Sequence, residues 1–300
     1  TGIGYWSVPE VRPLALPLGR SFLFYDTPDD FVHPASTVHY CVGPSGSEGA
    51  VMTVRATGRA MVAGCAVAVL LAGCTTDKAG EKDLKTAQVE MDNGAPMAAL
   101  ELLRRHVQSH PEDVPTLLAL GRANAQLGRY QPAILFFQDA LDKDHNCVDA
   151  LKGLARIDLQ LNPAKALERL EDMSRRFPHD AQIWTDLGIA RDFAGRHKAA
   201  RDAYFQAMKL DPLLISAQSN LGLSYAISGR YDSARFMLQP LAASADATPK
   251  IRANLAYAQL MAGDEDAARR TLMHDMPRAR ANKVLQSYRV FGIQRDAARH

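Results

Sequence analysis

The feature that most constrains this chain is a ladder of alanines. Ala99, Ala133, Ala166, Ala200, Ala234 and Ala268 follow one another at intervals of 34, 33, 34, 34 and 34 residues. A period of that length marks a small supersecondary unit that cannot bury its own apolar face and needs stacked copies of itself. Two further ladders keep the same phase. Gly94, Gly128, Gly195, Gly229 and Gly263 stand five residues before the alanines, with Asn162 in that place in the short third unit. Leu120-Gly121, Leu154-Ala155, Leu187-Gly188, Leu221-Gly222 and Leu255-Ala256 lie further upstream in each unit.

These rungs spell a helix, a turn and a second helix. A leucine with a small neighbour belongs to the first helix, and glycine ends that helix by taking a left-handed conformation. A small alanine then lets the second helix cross closely. Tyr130, His197 and Tyr231 are placed to cover the turn, and Phe137, Leu170, Tyr204 and Leu238 to fill the space between one helix pair and the next. Pro111, Pro178 and Pro212, with His145 in the corresponding place, close the repeats where a helix must stop. Aromatic residues make up only 7% of the chain, which suits closely packed helices better than sheets.

Trp184, Leu187, Gly188, Gly195, Ala200, Tyr204, Ala207 and Pro212 together resemble the tetratricopeptide repeat. That resemblance covers residues 80–277 in six units. It implies an all-α, right-handed α-solenoid of about twelve helices, with residues 278–300 forming a C-terminal capping helix. In that last helix Val284, Leu285, Tyr288, Phe291 and Ile293 are spaced to cover the open end of the array. Asp83, Thr86 and Glu90 stand in the first unit where bulky apolar residues are usual, which suits an end cap.

The segment before the array reads as targeting sequence. Arg55 and Arg59 form a positive n-region after Met52, Ala60 to Leu71 form an apolar stretch, and Leu71-Ala72-Gly73-Cys74 closes it. The stretch is shorter than the roughly 20 residues a membrane-spanning helix needs. Leu71-Ala72-Gly73-Cys74 resembles the bacterial lipobox, which implies that residues 52–73 are a lipoprotein signal peptide and that Cys74 carries diacylglycerol and an N-acyl chain such as palmitate. Three acyl chains anchor far more firmly than one. Thr75 stands where an inner-membrane retention signal would have aspartate, so the resemblance implies the outer membrane, facing the periplasm, with 74–79 as a tether. Residues 1–51 hold six prolines and no methionine, and we read them as an irregular upstream extension. On this reading Cys147 is a lone packing or half-exposed thiol, and disulfides play no part.

No catalytic, cofactor or metal constellation emerges. His106 and His110 lie four apart on a helix, but no acid-histidine motif accompanies them. Gly222-Leu223-Ser224-Tyr225-Ala226 approaches a nucleophile elbow yet falls inside a predicted helix, where the strained strand-to-helix turn cannot form. Cys147 beside Asp144, His145 and Asn146 is a string of neighbours, and neighbours in sequence rarely make a catalytic dyad. Lysine plus arginine number 35 against 33 acidic residues, which gives no basic stripe for nucleic acid. The chain reads as a non-enzyme.

A stacked array offers a concave groove lined by first helices. Asn220 and Asn254 are 34 apart, one residue before the leucine rung, and Asp186 holds that place one repeat earlier. In peptide-binding members of the repeat family an asparagine there hydrogen-bonds the backbone of an extended ligand; the other reading is that a polar residue at this spacing simply faces water. Asn220 and Asn254 are expected to stand outside the core, with Ile189, Phe193, Leu223 and Tyr257 as exposed apolar positions on the same first-helix face. The lipobox, the array length and the closing pattern Asn254-Leu255-Ala256, Gly263, Asp275-Met276 and Asn282 resemble the TadD-type lipoproteins of tight-adherence (Flp) pilus assembly. The chain departs from them at Met276-Pro277 and in a last helix ending in Arg295, Arg299 and His300. The resemblance implies a periplasmic assembly factor whose partner is an outer-membrane secretin. A pilotin of type IV pili, or a scaffold for peptidoglycan enzymes, is the alternative.

Overall fold

The computed structural model describes residues 82–297. The expected extension, signal peptide, lipidated Cys74 and tether all lie outside the described residues. Thirteen helices and no strand are found among those described. They are α1 (82–92), α2 (Pro96–Ser109), α3 (Val114–Gln126), α4 (Tyr130–Lys143), α5 (Val148–Leu161), α6 (Pro163–Arg176) and α7 (Ala181–Phe193). The chain continues with α8 (His197–Leu210), α9 (Ile215–Ile227), α10 (Tyr231–Ala243), α11 (Pro249–Met261), α12 (Glu265–Leu272) and α13 (Arg278–Ala297). The odd-numbered helices through α11 are the first helices of six pairs, and the even-numbered ones are the second.

The glycine ladder does what the spacing predicts. Gly94, Gly128, Gly195, Gly229 and Gly263 have φ of 74°, 69°, 71°, 83° and 92°, a region that costs an L side chain strain. Each turn carries the same two bonds. In the fourth repeat Gly195 N donates to Asp192 O at 3.0 Å and Arg196 N to Arg191 O at 2.8 Å, the pairing that closes a Schellman cap. The third repeat differs: Asn162 has φ −149° and is followed at once by Pro163, the first residue of α6. One residue is missing, and α5 passes into α6 without a left-handed turn.

Of the described residues, α1–α5 belong to one compact unit and α6–α13 to another, with the division at Asn162 and Pro163. In the first unit Phe137 of α4 lies over two glycines. A Cβ at Gly121 would stand 2.6 Å from its ring, and one at Gly153 would overlap it as well. Leu117, Ala133, Ala150 and Ile157 complete that core. In the second unit Tyr204 occupies the same place over Gly188, and Leu238 over Gly222, where an added Cβ would come within 2.5 Å. The small residue of the leucine ladder is therefore set by the bulky residue of the following helix. All six alanine rungs are fully buried, as the close crossing requires.

Helix starts are marked by side-chain caps. Asp113 accepts from Thr116 N at the head of α3, Asp180 from Gln182 N and Ile183 N at α7, and Thr248 from Ile251 N at α11. Such caps satisfy amide groups that have no partner inside the helix. The C-terminal helix α13 packs on α11 and α12, burying Ala281, Leu285 and Tyr288. Val284 and Phe291 are half-buried. Ile293 departs from expectation: it is 70% exposed, because the covering stripe runs through 281, 285 and 288 at helical spacing and turns residue 293 outward.

Candidate functional site

The three polar rungs fall where their spacing places them, one on each of the first helices α7, α9 and α11. The expectation that Asn220 and Asn254 stand outside the core is corrected: with Asp186 they are fully buried, and Asn254 Nδ2 donates to Ser219 Oγ at 3.2 Å. The expectation of open apolar positions beside them is corrected. Ile189, Leu223 and Tyr257 are buried, and Phe193 is half-buried. The reason lies in how first helices pack: α9 touches not only α8 and α10 but also α7 and α11. Ten of its 13 residues are buried, whereas its partner α10 buries Ala234 and Leu238. Treating the first helix as one buried stripe and one open face overlooked its first-helix neighbours. Tyr257 illustrates this, with its ring edge-on to Tyr288 and Phe291 of α13 at centroid distances of 5.5 and 5.7 Å.

A polar cluster that the periodicity does not reveal ties three helices together. Asp192, near the end of α7, is buried and accepts from Tyr204 Oη at 3.0 Å, Ser224 Oγ at 2.9 Å and His197 Nδ1 at 2.8 Å. Burial raises its carboxyl above the ordinary carboxylate range, and the bonds and charge of His197, with the hydroxyls of Ser224 and Tyr204, act against that rise. Serine, aspartate and histidine thus meet, which the sequence reading did not foresee. Their order is not that of a nucleophilic triad, where imidazole stands between hydroxyl and carboxylate. Here the carboxylate stands between, and Ser224 is fully buried.

The remaining candidates are structural in their surroundings. His106 and His110 stack with centroids 4.7 Å apart, and His106 Nε2 lies 3.5 Å from Asp113 Oδ2. Among the described residues no group of three or more His, Cys, Asp or Glu side chains could hold a metal ion, and no helix is long and apolar enough to cross a membrane. Cys147 is fully buried at the start of α5, within the core that surrounds Phe137; the other cysteines lie outside the described residues. Arg252 and Asp275 form a bidentate pair at 2.7 and 2.5 Å joining α11 to the segment after α12, and the carboxylate raises the guanidinium pKa further.

Comparison with known proteins agrees with this architecture. The Tetratricopeptide repeat family model matches residues 84–146 and 150–213. Among curated proteins, the chain is 40% identical over 57 residues to the peroxisomal targeting signal receptor of Candida albicans, covering 19% of this chain and 10% of that one. It is 25% identical over 117 residues to the general transcriptional corepressor ssn6 of Schizosaccharomyces pombe, covering 38% and 11%. The chain thus spans about a tenth of the length of these two relatives. Among solved structures, a thermophilic tetratricopeptide-repeat protein of Thermus thermophilus superposes with a TM-score of 0.56 at 23% identity, over 61% of this chain and all of that one. Pseudomonas aeruginosa pilF gives 0.51 at 16% identity, over 66% and 90%. Residues 84–213 belong to the tetratricopeptide-repeat family, and the helix pairs that follow to Leu272 continue the same fold.

Proposed function

We propose that this repeat array is a non-catalytic scaffold that holds a protein partner along its first helices, in the envelope assembly of a tight-adherence pilus. Tetratricopeptide arrays are protein-interaction scaffolds, and the scaffold role rests on that fold. The observation behind a peptide partner is the recurrence of Asp186, Asn220 and Asn254 at one position of α7, α9 and α11, the register of a backbone-reading ladder, although all three are buried in the array without its partner. A relative whose name describes a receptor for a targeting signal supports recognition of a peptide segment. The lipobox-like Leu71-Ala72-Gly73-Cys74 supports a lipid anchor on Cys74 and an outer-membrane, periplasm-facing location. A secretin is the proposed partner.

The test has two arms. Cys74→Ser should release the full-length protein from membranes, and retention of that variant on the membrane removes the anchor from the proposal. The double variant Asn220→Ala/Asn254→Ala should recover the secretin from envelope extracts at least about tenfold less well than wild type, the consequence of losing about 1–3 kcal/mol of backbone-directed bonding at each asparagine. Because both side chains are buried, a thermal melt must accompany it. Equal recovery by a folded double variant places the partner elsewhere.

A further inference from the structure

The second helices carry a charge ladder that is broken at one rung. Arg201, Arg235 and Arg269 are 34 residues apart, each one residue past an alanine rung. In the fifth repeat Arg235 pairs with Asp232, three residues earlier, at 3.4 Å. In the sixth, Arg269 pairs with Asp266, again three residues earlier, at 2.5 Å, and also with Glu265 at 2.6 Å. The equivalent residue in the fourth repeat is Lys198. Where the array elsewhere supplies a carboxylate, it here supplies a second cation.

The orphaned guanidinium is held in place. Arg201 Nη1 donates to Ser228 Oγ at 3.1 Å, and its Cζ lies 5.2 Å from the centroid of the Tyr225 ring. Arg230, from the turn between α9 and α10, brings its own Cζ to 5.4 Å from the same ring. One half-buried tyrosine thus positions two guanidinium groups, an arrangement favoured by the negative face of the ring. The carbonyl end of α9 also attracts cations, but its partial charge does not neutralise two full ones. Asp202 follows Arg201 in sequence and Asp232 opens α10, yet among the described residues no carboxylate lies within 4 Å of Lys198, Arg201 or Arg230. Beyond Arg230 the surface forms a hollow of about 390 Å³ that also takes in Tyr231, Ser233 and the Asp232–Arg235 pair.

We infer that Lys198, Arg201 and Arg230 form a docking site for an acidic peptide segment, whose carboxylate takes the place that Asp232 and Asp266 fill in the next two repeats. Arginine held over an aromatic ring is restrained with donors still available to a carboxylate. The site uses none of the groove residues, so it stands or falls independently of the proposed function.

The test uses full-length protein and a fluorescein-labelled hexaglutamate peptide, read by fluorescence anisotropy, with hexaserine as the control. Wild type should bind hexaglutamate in a salt-sensitive manner and leave hexaserine free. Lys198→Asp restores the acid found in the later repeats and should weaken binding about tenfold or more. Arg201→Gln should do the same. Arg278→Asp makes the same change of net charge at an exposed position on α13 and should leave binding as in wild type. All substituted basic positions are half-buried or exposed, so circular dichroism should show unchanged folding. Absence of hexaglutamate binding by wild type, or equal weakening by Lys198→Asp and Arg278→Asp, overturns the assignment.

Discussion

At the scale of single residues, the buried carboxylate of Asp192 shows how one polar side chain serves three helices. It gives two buried hydroxyls and an imidazole a common acceptor. Asp192→Ala leaves the hydroxyls of Tyr204 and Ser224 without it, and each orphaned group costs about 1–3 kcal/mol. Urea denaturation should show the loss. Asp192→Asn keeps the shape and one carbonyl acceptor, so it separates charge from geometry. A carboxyl whose pKa is raised by folding contributes stability that is fully present below its unfolded value and is lost as pH rises through the folded one. Between about pH 4, the unfolded value, and that raised value, wild type should therefore lose stability relative to Asp192→Asn. A stability difference that grows in the opposite direction would show that hydrogen bonds to the carboxylate outweigh its burial.

At the scale of the element, position within the repeat decides what a residue is worth, and α13 tests this with two residues of like chemistry. Leu285 is buried against the last pair and Ile293 is 70% exposed. Leu285→Ala should cost about 2–5 kcal/mol, and Ile293→Ala less than about 0.5 kcal/mol, both measured from urea midpoints. The contrast also shows what a sequence can and cannot convey. Turns, helix pairs and the alanine crossing were legible because each rests on one residue type recurring at a fixed interval: the left-handed glycines needed only Gly128, Gly195 and their counterparts. The cluster at Asp192 was not legible, since its partners stand 5, 12 and 32 residues away and no neighbouring repeat echoes it. The burial of Ile189, Leu223 and Tyr257 was missed for another reason. It depends on packing of first helix on first helix, which a pattern read within one helix does not contain. Lys198 did leave a readable signal, a cation where two later repeats carry aspartate, but its meaning emerged only with Arg201 and Tyr225 in place.

At the scale of the whole molecule, the main helix packings among the described residues join elements adjacent in order or one apart. In such an array stability is a sum of unit terms and nearest-neighbour interfaces, so damage should remain near its origin. Gly188→Val makes a sharp probe. The new Cβ would overlap the ring of Tyr204, and overpacking of this kind costs typically 1–3 kcal/mol. The strain falls on α7 and α8 first, and then on α9, which packs against both. Amide hydrogen exchange should therefore show protection falling most in α7–α9, less in α11, and least in α13, which packs on α11 and α12. The backbone of α7 also carries Asp192, so the same variant should loosen the hydroxyls of Tyr204 and Ser224 together. A uniform loss of protection across all thirteen helices would contradict nearest-neighbour coupling, because only a single cooperative core spreads a local clash evenly.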